Sequence, residues 1–274
     1  LSVVETLVFE AGRLLEVKSD ASLVAASARL PSGAYTSLRT YHGSRILRLA
    51  QHVARLQESL RLQGLAGTVS RIEVQSALAA ALRSCGHAES RVRLTAAPPR
   101  LFVSVEAFQP LPAAWYKDGV SCVTLRLERG NPHAKDTGFI ATSGAVYREL
   151  PPEVNEGLLL GPDREILEGL SSNFFAVVKG TLRTEPDRVL LGVTRSLVLE
   201  LTSGLLPVSL APVQAIDLAS LEEAFLTSVS RGVLPVRDID GAAVGSGEPG
   251  PVTAELKRRF EALAEREAKS VFEA

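Results

Sequence analysis

The chain has 274 residues, 46% hydrophobic and 22% charged, enough to bury one large core or two modest ones. Thirty basic side chains against 31 acidic ones leave a net charge of −1, which argues against a field able to hold nucleic acid or an anionic membrane surface. Two distant cysteines, Cys85 and Cys122, form no metal-type cluster and suit a reducing compartment, so no metal site is expected.

Residues 2–9 and 13–19 read as short strands around Ala11-Gly12, a hairpin; with Glu5 and Glu10 in it, this start has no basic or apolar leader pattern. After Pro31-Ser32-Gly33 comes AYTSLRTY, then the turn His42-Gly43. RILRLAQHVARLQESLRLQGL places Leu49, Val53, Leu56 and Leu60 at helical spacing and stops at Gly64. A second helix fits 70–84, and RVRLTAA and RLFVSVEAF are strands flanking Pro98-Pro99. QPLPAAW has two prolines and no periodicity and reads as a linker.

From 118 onward strands dominate: GVSCVTLRL, EGLLLG, REILEG, NFFAVVKG and TLRT, with turns at Gly161-Pro162-Asp163 and Lys179-Gly180. That run reads as an antiparallel meander. Helices fit 194–203, about 217–222 and 252–268, with a strand near 224–229 and a hairpin turn at Asp240-Gly241. The apolar stretch LVLELTSGLLPVSLAP is broken by Glu200, Gly204 and Pro207, so no membrane span is expected and a cytoplasmic location is. The expected fold is α+β in two domains around a cleft: a small α/β domain over 1–110, a linker over 111–117 and a larger strand-rich domain over 118–274.

Four segments could carry chemistry. In Glu168-Gly-Leu-Ser171-Ser172-Asn173 a carboxylate ends one strand before a small polar cluster, although a plain tight turn accounts for the composition equally well. Leu191-Gly192-Val193-Thr194-Arg195 opens a helix whose N-terminal amides can receive a phosphate, or Thr194 simply caps it. Lys135 lies between strand-rich blocks, where a lysine can be held against a cleft, yet lone lysines are usually solvated. His52-Val-Ala-Arg55 puts two basic residues on one helical face, which is also an ordinary charged surface stripe. An amine, a carboxylate, a helix terminus and an arginine are together what an aldehyde cofactor with a pyridine nitrogen and a phosphate requires.

In order and spacing these segments resemble fold-type IV pyridoxal-phosphate enzymes, the class IV aminotransferase family of branched-chain aminotransferases, D-amino acid aminotransferases and aminodeoxychorismate lyases. The likeness runs from about Gly33 to Gly241 and is strongest in Leu167-Glu168-Gly169-Leu170-Ser171-Ser172-Asn173-Phe174-Phe175. GAYTSLRTY with HVARL on the next helix, Gly192-Val193-Thr194-Arg195, and AFLTSVS ahead of Leu234-Pro235-Val236 are similar to three further family blocks. The resemblance implies pyridoxal 5'-phosphate as cofactor, Lys135 as the catalytic Schiff-base lysine and Glu168 as partner of the pyridine nitrogen. It assigns the phosphate to Arg55, the amides of Val193 and Thr194, the Thr194 hydroxyl, Ser228 and the backbone of Val229, with Ser172 and Asn173 also at the cofactor. It further implies amino acid and 2-oxo acid substrates and a homodimer. The physical reasons fit these roles: an amine must be partly neutral to attack an aldehyde, which desolvation favours, and a carboxylate keeps a ring nitrogen protonated.

The chain departs from individual members. Branched-chain enzymes carry a phenylalanine-glutamate-glycine run where Tyr35-Thr36-Ser37-Leu38 stands, a tyrosine where Arg91 stands, and a tyrosine near Phe139-Ile140. The arginine–histidine pair of D-amino acid enzymes meets Ala97-Pro98-Pro99-Arg100, without the histidine. Arg39, Arg91 and Arg93 are candidates for a substrate carboxylate, with Tyr35 and Ser230 also on the substrate side; alternatively Arg93 braces backbone and Arg91 faces solvent. The expected activity is transamination from an aliphatic, branched-chain amino acid to 2-oxoglutarate. Aminodeoxychorismate lyase is the alternative, and a binding protein without activity a third reading, against which the intact Lys135 and Glu168 argue.

Overall fold

A computed structural model describes residues 3–273. The chain folds as two units: Leu1–Gln109 with Ala134–Gly144 and Leu263–Ala274, and Pro110–His133 with Ala145–Ala262. The expected division differs from this one, because 134–144 and 263–274 belong to the first unit.

The first unit contains β1 (Val4–Glu10), β2 (Arg13–Asp20), α1 (Leu23–Ala28), β3 (Ala34–Tyr41), β4 (Arg45–Ile46), α2 (Leu49–Leu62), α3 (Arg71–Cys85), β5 (Ser90–Ala97) and β6 (Arg100–Ala107). The second contains α4 (Ala113–Asp118) and β7 (Val120–Leu125), followed after α5 (Gly138–Glu149) by β8 (Glu156–Leu160), β9 (Glu165–Gly169), β10 (Asn173–Val178) and β11 (Thr181–Arg183). It continues through α6 (Val193–Leu201), β12 (Val208–Ser209), β13 (Val213–Gln214), a 3-10 turn over Ala215–Ser220, β14 (Glu223–Ser228), β15 (Gly232–Ile239) and β16 (Ala242–Ala243). After α7 (Pro251–Glu267), β17 (Lys269–Ser270) pairs with β4 in the first unit.

In the first unit an antiparallel sheet runs β17-β4-β3-β5-β6-β1-β2. Its core is aliphatic: Leu56 and Leu60 of α2 and Leu78 of α3 are fully buried with Leu38, Val92 and Leu94 of the sheet. The α2 residues are those whose spacing marked the helix. At α3, Ser70 and Glu73 form a capping box, each side chain satisfying the other's backbone amide.

In the second unit the main path is β12-β11-β10-β14-β15-β7-β8-β9-β13, and an extra pairing of β9 with β10 closes the middle six strands on themselves. Closure removes two sheet edges. The seam is one residue pair, Asn173 opposite Glu168. The expected antiparallel meander holds only in part, since β7 lies parallel to both β8 and β15. A parallel neighbour needs a crossover, and α5 lies between β7 and β8 in the chain. The expected helix near 217–222 is the 3-10 turn, and α1, α4 and α5 are helices that the pattern did not reveal. At Ala11-Gly12, Lys179-Gly180 and Asp240-Gly241 both residues have positive φ, the twist that two-residue hairpins prefer.

Candidate active site

In the first unit, β5 pairs with β3 over Ala34–Arg39, whereas β4 pairs only with Thr40 and Tyr41. The remaining edge of β3 receives residues 135–137. Tyr35 N donates to Lys135 O at 2.8 Å, Thr137 N to Gly33 O at 2.9 Å, and Gly33 N to Thr137 Oγ1 at 3.0 Å. Lys135 is therefore held in the first unit beside an isolated bridge between Ala34 and Asp136. Its Nζ lies 4.6 Å from the centre of the Tyr35 ring, within cation–π range.

Helix α2 supplies the groups beneath. Ser59 Oγ accepts from Lys135 N at 3.1 Å and donates to Arg55 O at 2.8 Å. Arg55 Nη2 donates to Thr36 Oγ1 at 2.8 Å, and that hydroxyl lies 3.0 Å from His52 Nδ1. Burial, then the positive charges of Arg55 and Lys135, push the His52 pKa well below its ordinary 6.5. The imidazole is neutral, and the H-x-x-R stripe read as a charged surface is in fact half interior, with His52 at 3% exposure.

The three expected carboxylate receivers fare differently. Arg39 pairs with Glu89 at 2.8 Å and lies on the Phe108 ring at 3.8 Å. Arg93 is buried and braces backbone, donating to Leu23 O at 2.8 Å and Ser27 Oγ at 2.5 Å. Arg91 meets Glu106 at 3.3 Å on an exposed side.

In the second unit Glu168 ends β9 with its side chain almost wholly buried. Oε1 accepts from Arg129 Nη1 at 2.9 Å; Oε2 accepts from Leu190 N at 3.1 Å and Asn173 Nδ2 at 3.2 Å. Asn173 Nδ2 also donates to Leu190 O at 2.7 Å. The residues leading into α6 are thus pinned to the carboxylate. Gly192 is the N-cap of α6 and offers no side-chain cap, so the amides of Val193 and Thr194 lack a capping acceptor. A Cβ at Gly192 would stand 2.3 Å from Asn173 Oδ1, so a larger residue there would have to displace the Asn173 side chain. Thr227, opposite Asn173 on β14, has a buried hydroxyl with no hydrogen-bond partner among the described residues. Ser228 and Val229 follow it directly.

A second polar cluster ties two loops of this unit together. Glu156 on β8 is fully buried and accepts from Ser172 Oγ at 2.9 Å, Arg231 Nη1 at 2.9 Å and the Tyr147 hydroxyl. Arg231 Nη1 also donates to Ser171 Oγ at 2.8 Å. Burial opposes charge on Arg231, but Glu156 and Tyr147 outweigh it and raise its pKa. For Tyr147, burial and then Glu156 raise the phenol. Ser230 stands beside Arg231 in the loop between β14 and β15. Sequence reading passed over Glu156, Arg231, Arg129, Ser59 and Thr36. A carboxylate inside a fully apolar strand, as in Glu156-Gly-Leu-Leu-Leu, was the one local signal available.

The Amino-transferase class IV family pattern matches residues 33–239. A Thermotoga maritima protein named "Probable branched-chain-amino-acid aminotransferase" is 32% identical over 257 residues, covering 90% of this chain and 90% of its own. The D-alanine aminotransferase of Bacillus licheniformis is 29% identical over 260 residues, 87% of this chain and 90% of that protein. The solved branched-chain aminotransferase of Thermoproteus uzoniensis with norvaline has a TM-score of 0.81 at 20% identity, over 97% of this chain and 99% of that one, a likeness of fold. The chain belongs to the class IV aminotransferase family, whose members are fold-type IV enzymes that use pyridoxal 5'-phosphate. Its own residues fit that cofactor: an amine beside an aromatic ring in the first unit, and in the second a buried carboxylate, an uncapped helix start and a glycine cradle.

Proposed function

We propose that this enzyme moves the amino group of a branched-chain aliphatic amino acid to a 2-oxo acid such as 2-oxoglutarate. The observation that carries the reading is the similarity, over 90% of both chains, to a relative named for that substrate class. The reading extends to a homodimer in the cytoplasm, and no helix among the described residues is long and apolar enough to cross a membrane.

When bound, pyridoxal phosphate supplies an electron-poor ring that absorbs the electron pair left at the substrate Cα. Lys135 Nζ would hold the cofactor at its aldehyde end and serve as the base for the substrate Cα proton. Glu168 holds positive charge on the ring nitrogen, with Ser172 and Asn173 bracing that end. Arg55, the Val193 and Thr194 amides, the Thr194 and Ser228 hydroxyls and the Val229 amide hold the phosphate. Tyr35 and Ser230 are the substrate-side residues. Arg93 is engaged with backbone, Arg39 pairs with Glu89 at 2.8 Å and Arg91 with Glu106 at a longer 3.3 Å, so Arg91 is the arginine most readily exchanged onto a substrate carboxylate.

The test is a panel of both enantiomers of leucine, isoleucine and valine with 2-oxoglutarate, following glutamate. Glutamate from the L-branched-chain donors is expected. Pyruvate released from aminodeoxychorismate, with no glutamate from any donor, overturns the reading.

A further inference from the structure

Arg55 and Ser59 stand four residues apart on α2, one turn along the same face. Ser59, fully buried, uses its proton on Arg55 O at 2.8 Å and a lone pair on Lys135 N at 3.1 Å. With Tyr35 N on Lys135 O at 2.8 Å, the Lys135 residue is held from both sides of its backbone. The Arg55 guanidinium is anchored through Nη2. Thr36 Oγ1, also fully buried, accepts from Arg55 Nη2 and shares a hydrogen bond of 3.0 Å with His52 Nδ1. The hydroxyl is thereby fixed between the two side chains of α2.

We propose that Ser59, Thr36 and His52 are positioning residues, through which one turn of α2 sets the span between Lys135 and Arg55, the two first-unit groups assigned to the aldehyde and phosphate ends of the cofactor. The inference rests on the cofactor roles proposed above. A rigid span matters because a site held loosely by about 1 Å loses much of its affinity and rate. Sequence gives no hint of Ser59, whose hydroxyl reads as one more polar residue on a helix; its role comes from a chain segment 76 residues away.

Thr36→Val keeps the shape of the side chain and removes the hydroxyl; Ser59→Ala does the same at the other end; Thr36→Ser restores the hydroxyl. Each variant and the parent are measured for pyridoxal phosphate dissociation by equilibrium dialysis, and for unfolding midpoint without cofactor. Thr36→Val, which loses a hydrogen bond to the Arg55 charge, and Ser59→Ala, which loses two to backbone groups, are each expected to weaken cofactor binding about tenfold, with Thr36→Ser close to the parent. Equal binding by all four proteins overturns the inference and leaves the proposed function standing. A loss of binding that only tracks a lower cofactor-free midpoint, unrescued by Thr36→Ser, also overturns it. Absence of binding by the parent itself overturns the cofactor roles, and the inference with them.

Discussion

His52 and Glu168 are both buried ionisable side chains, and their environments treat charge oppositely. His52 shares a hydroxyl with an arginine and lies near Lys135, so its charged form is disfavoured. Its folded pKa is depressed, so the unfolded chain binds the extra proton first. Its contribution to stability is therefore complete above 6.5 and is lost as the pH falls from there toward the folded pKa. Denaturant melts between pH 7.5 and 5 should show a loss of up to about 1.4 kcal/mol per pH unit from this group, and His52→Leu should remove that part of the slope. An unchanged slope would mean that the imidazole is charged in the fold. At Glu168 the charge is wanted, since Arg129 is equally buried beside it. Glu168→Gln keeps the shape and removes the charge. It should lower kcat roughly 100-fold and cost about 3 kcal/mol in a urea melt, because the buried Arg129–Glu168 ion pair is broken from one side. Wild-type kcat in this variant would remove Glu168 from the chemistry.

At the scale of elements, the second unit depends on how β9, β10 and the β14–β15 hairpin meet. Glu156, Ser171, Ser172, Tyr147 and Arg231 join the turn after β9 to the hairpin loop. The Glu156–Arg231 pair is buried, so breaking it from one side is expensive and removing both sides is less so. Arg231→Met should destabilise by about 3–5 kcal/mol, and Glu156→Gln added to it should recover part of the loss; strict additivity in the double-mutant cycle would contradict a coupled pair. How much of this was legible in sequence depended on range. The Glu168–Asn173 turn, α2, α3 and α6 announced themselves because their signals are local: turn residues and apolar spacing. By contrast α5 contains Gly138, Thr142, Ser143 and Gly144, and buries only Ile140, so neither propensity nor an apolar stripe marked it. With six residues behind a proline, α4 is too short to show a period.

At the scale of the molecule, the residues proposed to hold the cofactor are divided in sequence between the two units. Glu168, Val193, Thr194 and Ser228 belong to the second, while Arg55, Tyr35 and Lys135 belong to the first. A continuous reading placed Lys135 with the strands around it. The hydrogen bonds that assign it elsewhere join positions about 100 residues apart, and such pairing leaves no periodic trace in sequence. The resemblance implies roles for Glu168 and the helix start from short runs of sequence, and for Lys135 from its place in their order. The partners of those groups, Ser59 at Lys135 and Arg129 at Glu168, needed the fold. The most direct test of the account is borohydride reduction of the protein with pyridoxal phosphate bound, followed by peptide mapping. Cofactor mass on the peptide containing Lys135, and on no other lysine, is predicted. Its appearance on Lys117, Lys179 or any other lysine, or its absence altogether, would contradict the assignment.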